Sequence, residues 1–393
     1  MRVLMVILDN RIGGISIRAI DVAQKLQEDE ISTLFIVPKE KGALAARLNE
    51  LHLPVNQIIL GRPSLKRIWA NIYWFFSFPL SVIILMSLIL REKIDIVHVN
   101  GLLSLQAPVA ALLTGRRIVW HLASTIYPPF LVRLLMPFIC RVSFVMTISE
   151  SVDHYYVGKN TKCSKRLIVH EPVNIHRFSP DITTQERDQF RQNLGVGLDE
   201  LVVGVVGNIT PVKGYDYLFQ AVPLVVKVKP EVHFVIVGAM FNTQLEYKKK
   251  LDLLANSLGI KEHIRFLGQR HDIRELLNAF DLFVLPSLHE GTPIAILEAM
   301  AMERAVVATR VGGVSDLVID QETGLLVKAK NPEKLAESIL DLLDDDQKRT
   351  AMGKSGRKRI TQLFSLEHCV HVHKMIYCQL YNPDNTKQIN NES

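Results

Sequence analysis

Residues 201–221, LVVGVVGNITPVKGYDYLFQA, decide how the chain folds. Leu201–Gly207 is apolar at odd and even positions alike, the mark of a strand buried on both faces, and such strands belong to parallel sheets. A turn holding Pro211 and Lys213-Gly214 follows, and then an amphipathic helical pattern. The same unit recurs downstream as VHFVIVG (Val232–Gly238), IRFLG (Ile264–Gly268), LFVLPS (Leu282–Ser287), AVVAT (Ala305–Thr309) and TGLLV (Thr323–Val327). Upstream lie VLMVIL (Val3–Leu8), STLFIV (Ser32–Val37), DIVHVN (Asp95–Asn100), RIVWHL (Arg117–Leu122) and SFVMTIS (Ser143–Ser149). The alternation loosens only in the polar stretch NIHRFSPDITTQERDQF, so the domain boundary is expected near 175–195. The fold class is α/β, with two doubly wound domains at 1–180 and 195–365, a helical segment at 366–381 and a polar, disordered tail at 382–393. Doubly wound sheets bind ligands beyond the carboxyl ends of their strands, so two facing sheets would enclose a cleft.

Composition fits a globular protein, with 48% apolar and 22% charged residues among 393. The charge is unevenly placed. Residues 1–176 hold 20 Lys/Arg against 12 Asp/Glu, or +8, while the remainder is −2, leaving the stated +6. A basic first half suggests an anionic partner there. The four cysteines, Cys140, Cys163, Cys369 and Cys378, are scattered without a C-x-x-C pair, which suits reduced thiols in a cytoplasm. The amino terminus reads as a strand rather than a signal peptide.

Chemistry concentrates in HEGTPIAILEAM, His289–Met300, where Glu290 and Glu298 bracket an otherwise apolar segment. Thr292 suits an N-cap and Pro293 the first helical position, so helix N–H groups would face a ligand beside Gly291. A carboxylate such as Glu298 accepts hydrogen bonds from both hydroxyls of a ribose. Glu290, on the loop, would hold sugar hydroxyls, and Lys213 would neutralise a diphosphate as a point charge. Gly312-Gly313 lets backbone approach a ligand.

In order and spacing these elements resemble the donor-binding domain of retaining GT-B glycosyltransferases, in particular glycosyltransferase family 4, the group 1 transferases. The family's E-x7-E motif matches Glu290 and Glu298, its lysine-glycine turn matches Lys213-Gly214, and its glycine pair before an acidic helix matches Gly312-Gly313 with Asp316. The resemblance implies that Glu298 holds the ribose, Glu290 the transferred sugar and Lys213 the leaving diphosphate, with backbone from Gly291 onward near sugar or phosphate. It also implies that the closing helix returns to the first domain and that transfer retains configuration. One position departs from the pattern. The family has arginine five residues before the lysine, whereas this chain has Asn208, with Arg270 and Arg274 as candidates to replace the charge.

In the first domain Gly13-Gly14 turns the first strand into a helix, and in the family this loop lies near donor phosphate and acceptor. His121 ends RIVWHL, where a parallel strand delivers side chains to the ligand edge, and in the family a histidine there assists transfer. His98 reads as structural, with Asn100 as an acceptor contact. The run Trp69–Leu90 contains no charge and is long enough for a bilayer. Spanning is excluded because strands on either side of it belong to one sheet. It is either a buried helix pair or an element dipping into one leaflet, with Arg62, Lys66, Arg67, Arg91 and Lys93 meeting anionic headgroups. YPPFLVRLLMPFICRV, Tyr127–Val142, is a second apolar-basic stretch.

Together these readings predict a cytoplasmic enzyme, peripheral on the inner face of the cell membrane. It would move sugar from a nucleotide-sugar donor to a lipid-linked saccharide acceptor in bacterial surface-polysaccharide or glycolipid synthesis. No cofactor or metal is expected, because Asp344-Asp345-Asp346 reads as a solvated face. A sugar-nucleotide epimerase and a catalytically inactive nucleotide-sugar-binding protein are the alternatives. Nucleic-acid binding is disfavoured by the lack of interleaved aromatic and basic residues.

Overall fold

The computed structural model describes all residues except 41, 64–67, 126, 159–162, 241–243 and 383–393. The chain forms two compact units, Met1–Glu171 with the segment from Leu366 on, and Pro172–Ser365. The second unit thus begins a few residues before the expected boundary.

The first unit holds strands β1 (Arg2–Ile7), β2 (Ser32–Pro38), β3 (Val55–Ile58), β4 (Ile96–Asn100), β5 (Arg117–Leu122), β6 (Phe144–Thr147) and β7 (Arg166–Ile168). They form one seven-stranded sheet in the order β3-β2-β1-β4-β5-β6-β7, and every pairing is parallel. Its helices are α1 (Gly14–Gln27), α2 (Leu44–Glu50), α3 (Ile68–Arg91), α4 (Gln106–Leu113), α5 (Pro129–Val142) and α6 (Glu150–Tyr156).

The second unit holds α7 (Thr184–Asn193), β8 (Leu201–Val206), α8 (Tyr215–Val226), β9 (Val232–Val237), α9 (Leu245–Ser257), β10 (Ile264–Gly268), α10 (Ile273–Ala279), β11 (Leu282–Leu285) and α11 (Ile294–Ala301). It continues through β12 (Val306–Thr309), α12 (Val314–Leu317), β13 (Gly324–Val327), α13 (Pro332–Asp344) and α14 (Asp346–Leu363). Its sheet runs β10-β9-β8-β11-β12-β13, again parallel throughout. Numbered within the unit this is the 3-2-1-4-5-6 order of the dinucleotide-binding fold. The last helix, α15 (Leu366–Tyr381), packs in the first unit, where Val370, Ile376 and Tyr377 share a core with Val3, Val22 and Ile96.

Local chemistry sets the element ends. Asn331 caps α13 by accepting from Lys334 N at 2.9 Å, with Pro332 in the first turn. Thr183 and Glu186 close a reciprocal capping box on α7. Strands β4, β11 and β12 are buried at every position, as runs apolar on both faces require.

Three expectations are corrected. The apolar run is one 24-residue helix, α3, rather than a helix pair. It connects β3 to β4 within one sheet, and one of its faces, including Ser81, Leu85 and Ile89, is buried. Cys140 and Cys163 are joined as a disulfide with Cα atoms 4.9 Å apart, so they are not a pair of reduced thiols. Their 23-residue separation hid a proximity that α5 and the approach to β7 create. Finally, α11 begins at Ile294 rather than Pro293. Pro293 stays extended at ψ 103° and is itself the cap residue, a place where its missing N–H removes no ladder bond.

Candidate functional site

In the second unit, β8, β11 and β12 are adjacent, so the loops after their carboxyl ends meet. The β8 loop carries Lys213 on a short 3-10 turn, and Gly214 follows in the left-handed region at φ +70°. A side chain at Gly214 would stand 2.0 Å from the Pro286 carbonyl oxygen, so this loop is pressed against the β11 loop. Leu288 N donates to Val212 O at 2.7 Å across the same seam, and the Tyr215 hydroxyl donates to Gly207 O at 2.6 Å. The β12 loop closes the other side. Gly312, at φ +50°, leaves no room for a Cβ, which would lie 1.8 Å from Glu290 O, and Gly313 N donates to Gly291 O at 2.8 Å.

This clasp brings together the predicted charges. Lys213 Nζ contacts Glu290 Oε1 at 2.7 Å, and the Ser287 hydroxyl donates to the same oxygen at 2.6 Å. Glu290 is nearly buried and Lys213 partly exposed, so the lysine head is held at the loop surface by a fixed counter-charge.

Glu298, on the second turn of α11, is partly buried. Desolvation raises its carboxyl to about 7, with the Arg177 charge pulling weakly the other way. Among the described residues its carboxylate makes no hydrogen bond or ion pair. A carboxylate held in low dielectric without donors is costly unless something supplies them.

The remaining predicted residues of this unit are placed as follows. Asn208 is exposed on the β8 loop, and Gly291, Thr292 and Pro293 form the entry to α11. Arg270 is forked onto Asp272, and Arg274 donates to the carbonyls of Ser179 and Asp181, so both cations offered in place of the family arginine are engaged elsewhere. Of the three consecutive aspartates, Asp345 caps α14 through Lys348 N, Asp344 pairs with Lys229 and Asp346 with Arg349. Ser287 and Arg177 escaped the sequence reading. Ser287 stands three residues before Glu290, a spacing a closer look at the loop would have weighed, whereas nothing local ties Arg177 to Glu298.

In the first unit, Gly13 caps α1 with its N–H donated to the Ser16 hydroxyl at 2.8 Å, and a Cβ there would meet nothing within 4 Å. Open space beside the Gly13-Gly14 turn suits close approach of a ligand. His121 is fully buried on β5, with ring centroids 5.5 Å from His98 and 6.2 Å from His373 of α15. Among the described residues neither of its nitrogens has a hydrogen-bond partner, and burial, then Arg18, holds the ring well below its ordinary pKa and therefore neutral. His121 was expected at an open strand mouth; instead it sits beside the α15 histidine, a neighbour 252 positions along the chain. His98 accepts or donates at 2.6 Å with the Tyr377 hydroxyl. Asn100 accepts from Arg18 at 2.9 Å, and Arg18 also pairs with Glu171 at 2.7 Å, both ends buried.

The second unit thus presents a parallel sheet whose clasped loops carry a partly exposed lysine and two carboxylates. A family model described as Glycosyl transferases group 1 matches residues 186–359, and one described as Glycosyltransferase Family 4 matches residues 12–177. The structure superposes on Anabaena Alr3699/HepE, solved in complex with UDP, with a TM-score of 0.84 at 22% identity, covering 96% of this chain and 100% of that one. The fold is GT-B, two Rossmann-like domains, with one family model matching most of each. A D-inositol 3-phosphate glycosyltransferase of Corynebacterium urealyticum is 32% identical over 217 residues, 54% of this chain and 51% of the relative. A GDP-mannose-dependent monoacylated alpha-(1-6)-phosphatidylinositol monomannoside mannosyltransferase of Corynebacterium glutamicum is 32% identical over 50% of this chain and 51% of its own. The chain spans about half the length of these curated relatives.

Proposed function

We propose that this protein transfers a sugar from a nucleotide diphosphate-sugar to a hydroxyl of a lipid-linked acceptor, with retention at the anomeric carbon. The observation that carries the reading is Glu298, a partly buried carboxylate that burial raises to about 7 and that makes no hydrogen bond among the described residues. Two ribose hydroxyls would supply the missing donors and restore its charge. Lys213 then exchanges part of its contact with Glu290 for the diphosphate, and Glu290 turns its freed oxygen to hydroxyls of the sugar.

In the transfer step the bond from the anomeric carbon to the diphosphate oxygen breaks. The acceptor oxygen bonds to the same face, and its proton passes to the departing phosphate. Lys213 stabilises the charge gathering on that phosphate. His121 is the proposed assisting group: it is neutral, and its two nitrogens are uncommitted. The Gly13-Gly14 turn is the proposed place of approach for phosphate or acceptor in the first unit, since a Cβ built at Gly13 meets nothing within 4 Å. This scheme uses no metal, since lysine and loop amides carry the charge, and it needs no cofactor.

The lipid acceptor is supported by the exposed faces of α3 and α5. On α3, Ile72, Tyr73, Phe76, Leu80, Ile83 and Leu90 form one apolar stripe at helical spacing, with Phe76 76% exposed. On α5, Phe130, Leu134 and Phe138 are exposed, as are Arg133 and Arg141 of the same helix. Apolar side chains among arginines suit an anionic bilayer surface, approached from the cytoplasm. Arg62 and Arg91 are exposed as well, although each already touches a carboxylate, Asp9 and Glu92 respectively, and Lys66 and Arg67 lie outside the described residues. Of the two curated relatives named above, the Corynebacterium glutamicum one acts on a phosphatidylinositol monomannoside by its name, which favours the same acceptor class, whereas the Corynebacterium urealyticum one is named for inositol 3-phosphate.

The test incubates purified protein with a panel of labelled nucleotide-sugars and bacterial lipid extract. Label entering the lipid fraction with its anomeric configuration kept supports the proposal. Rearranged nucleotide-sugar formed without acceptor would identify an epimerase, and nucleotide binding without turnover of any donor would identify an inactive binder.

A further inference from the structure

Ser287 closes the apolar run LFVLPS at the end of β11, and it is fully buried. A buried serine beside a strand ordinarily turns its hydroxyl back to a nearby main-chain carbonyl. This one reaches forward instead and donates to Glu290 Oε1, three residues on, at 2.6 Å. A hydroxyl has one proton to give, so the whole donor capacity of Ser287 is committed to that carboxylate. The Ser287 carbonyl is held in turn, because the Thr309 hydroxyl at the end of β12 donates to it from a buried position. A brace therefore runs from β12 through Ser287 to Glu290, and both groups behind the carboxylate are shielded from solvent.

The same oxygen has a second donor of another kind. Lys213 Nζ lies 2.7 Å from Oε1, and among the described residues Oε2 accepts no hydrogen bond. The lysine ammonium ends a flexible four-carbon stem and its side chain is 25% exposed, so it can swing away at little cost. Ser287 has a single rotatable bond before its oxygen and no exposed surface. Of two donors on one oxygen, one is free to leave and the other is not. The main chain around Glu290 is fixed as well, since Gly312 lies against the Glu290 carbonyl and Gly313 N donates to Gly291 O at 2.8 Å. What remains adjustable in Glu290 is the carboxylate itself, and Ser287 is the group that limits it.

We propose that Ser287 is a positioning residue for the transfer: when Lys213 turns to the departing diphosphate, Ser287 alone keeps Glu290 Oε1 in place and so keeps Oε2 presented to the sugar hydroxyls. The proposal rests on the nucleotide-sugar reading above and adds to it the group that makes the exchange possible. Being fully buried, Ser287 touches no substrate and acts through Glu290. Its hydrogen bond to an ionised acceptor is of the short, strong kind, which suits a group that must hold a carboxylate by itself.

The experiment compares wild type, Ser287→Ala, Lys213→Ala and the double variant, each full length and each checked for a cooperative melt. The probes are UDP-glucose and UDP, or GDP-mannose and GDP, taken as the pair that wild type binds more tightly. Calorimetric titration gives both affinities, and steady-state transfer to bacterial lipid extract gives kcat and KM. In Ser287→Ala, affinity for the nucleoside diphosphate should stay within about twofold, because that ligand lacks the sugar Glu290 holds. The additional affinity conferred by the sugar should fall, and kcat should drop about 10- to 100-fold, as loss of a hydrogen bond to a charged group implies. In the double variant the two losses of kcat/KM should multiply, because at the moment of transfer Lys213 acts on the phosphate and Ser287 on Glu290. Wild-type kcat in Ser287→Ala, or nucleoside diphosphate affinity falling in step with kcat, would overturn the proposal. So would a double variant no slower than Lys213→Ala, which would show both donors serving Glu290 as one unit. Should Ser287→Ala lose its cooperative melt, Thr309→Val, which removes only the donor to the Ser287 carbonyl, takes its place and should show the same split between kcat and nucleotide affinity. Wild type that binds the pair and transfers nothing would refute the proposed activity. The binding comparison then decides alone: a sugar-dependent gain in affinity that survives in Ser287→Ala overturns the positioning role, and one that is lost sustains it.

Discussion

Glu298→Gln separates function from stability at a single position. In the unfolded chain a glutamate titrates near 4.5, and in the fold burial raises this one to about 7. The folded state therefore holds more protons than the unfolded state between those values, and stability falls as pH rises through that window, then stays level above 7. Keeping the carboxylate ionised at pH 8 costs the fold about 3 kcal/mol. Glutamine removes that cost but buries an amide without partners, at about 1–2 kcal/mol. The variant should thus be more stable than wild type by about 1–2 kcal/mol at pH 8, a Tm rise of roughly 2–8 °C for a unit of this size, and the gain should vanish by pH 5. Binding should move the opposite way. Hydrogen bonds to a charged acceptor contribute about 1.5–3 kcal/mol, so nucleoside diphosphate affinity at pH 8 should drop about 10- to 100-fold. Wild type at pH 6 is only about one-tenth ionised at this group, so its own affinity should be about tenfold lower there than at pH 8, and the variant should show no such slope. Calorimetric titration with nucleoside diphosphates and thermal melts, each at pH 6 and pH 8, read both effects. A variant that binds as wild type does, or that melts lower at pH 8, refutes the reasoning.

Other perturbations follow from the same geometry. His121→Ala should slow sugar transfer by about 100-fold or more while leaving nucleotide affinity within a few-fold, measured by steady-state kinetics beside calorimetry. Wild-type turnover would remove it from the reaction. Lys213→Ala removes the cation beside the leaving group and strands Glu290, so kcat should fall about 100- to 1,000-fold, with Lys213→Arg recovering only part of it. Gly312→Ala places a Cβ against the Glu290 carbonyl in a left-handed conformation, and it should lower stability by about 1–3 kcal/mol in a denaturant melt and weaken nucleotide binding together with it.

The clasped loops show how a short motif can name residues without arranging them. Lys213 and Glu290 are each visible as polar residues in apolar surroundings, but their 2.7 Å contact spans 77 positions and exists because β8 and β11 are neighbours. The start of α11 was misjudged by one residue because a proline is compatible with either the cap or the first turn, and only its backbone angle decides. His121 was correctly assigned to the end of a strand, but the helix beside it comes from the other end of the chain.

What the sequence determined by itself is the set of elements: apolar runs long enough for strands, helices between them, and two sheets wound with ligand edges at predictable loops. Periodicity carries that information because burial is decided locally, face by face, along each element. The tertiary structure alone decided which faces found partners. It left one side of α3 exposed, joined Cys140 to Cys163, and set Glu298 partly buried with no hydrogen-bond donor among the described residues. Those outcomes depend on strand order and on which helix crosses which, and no spacing along the chain encodes the dielectric around a carboxylate.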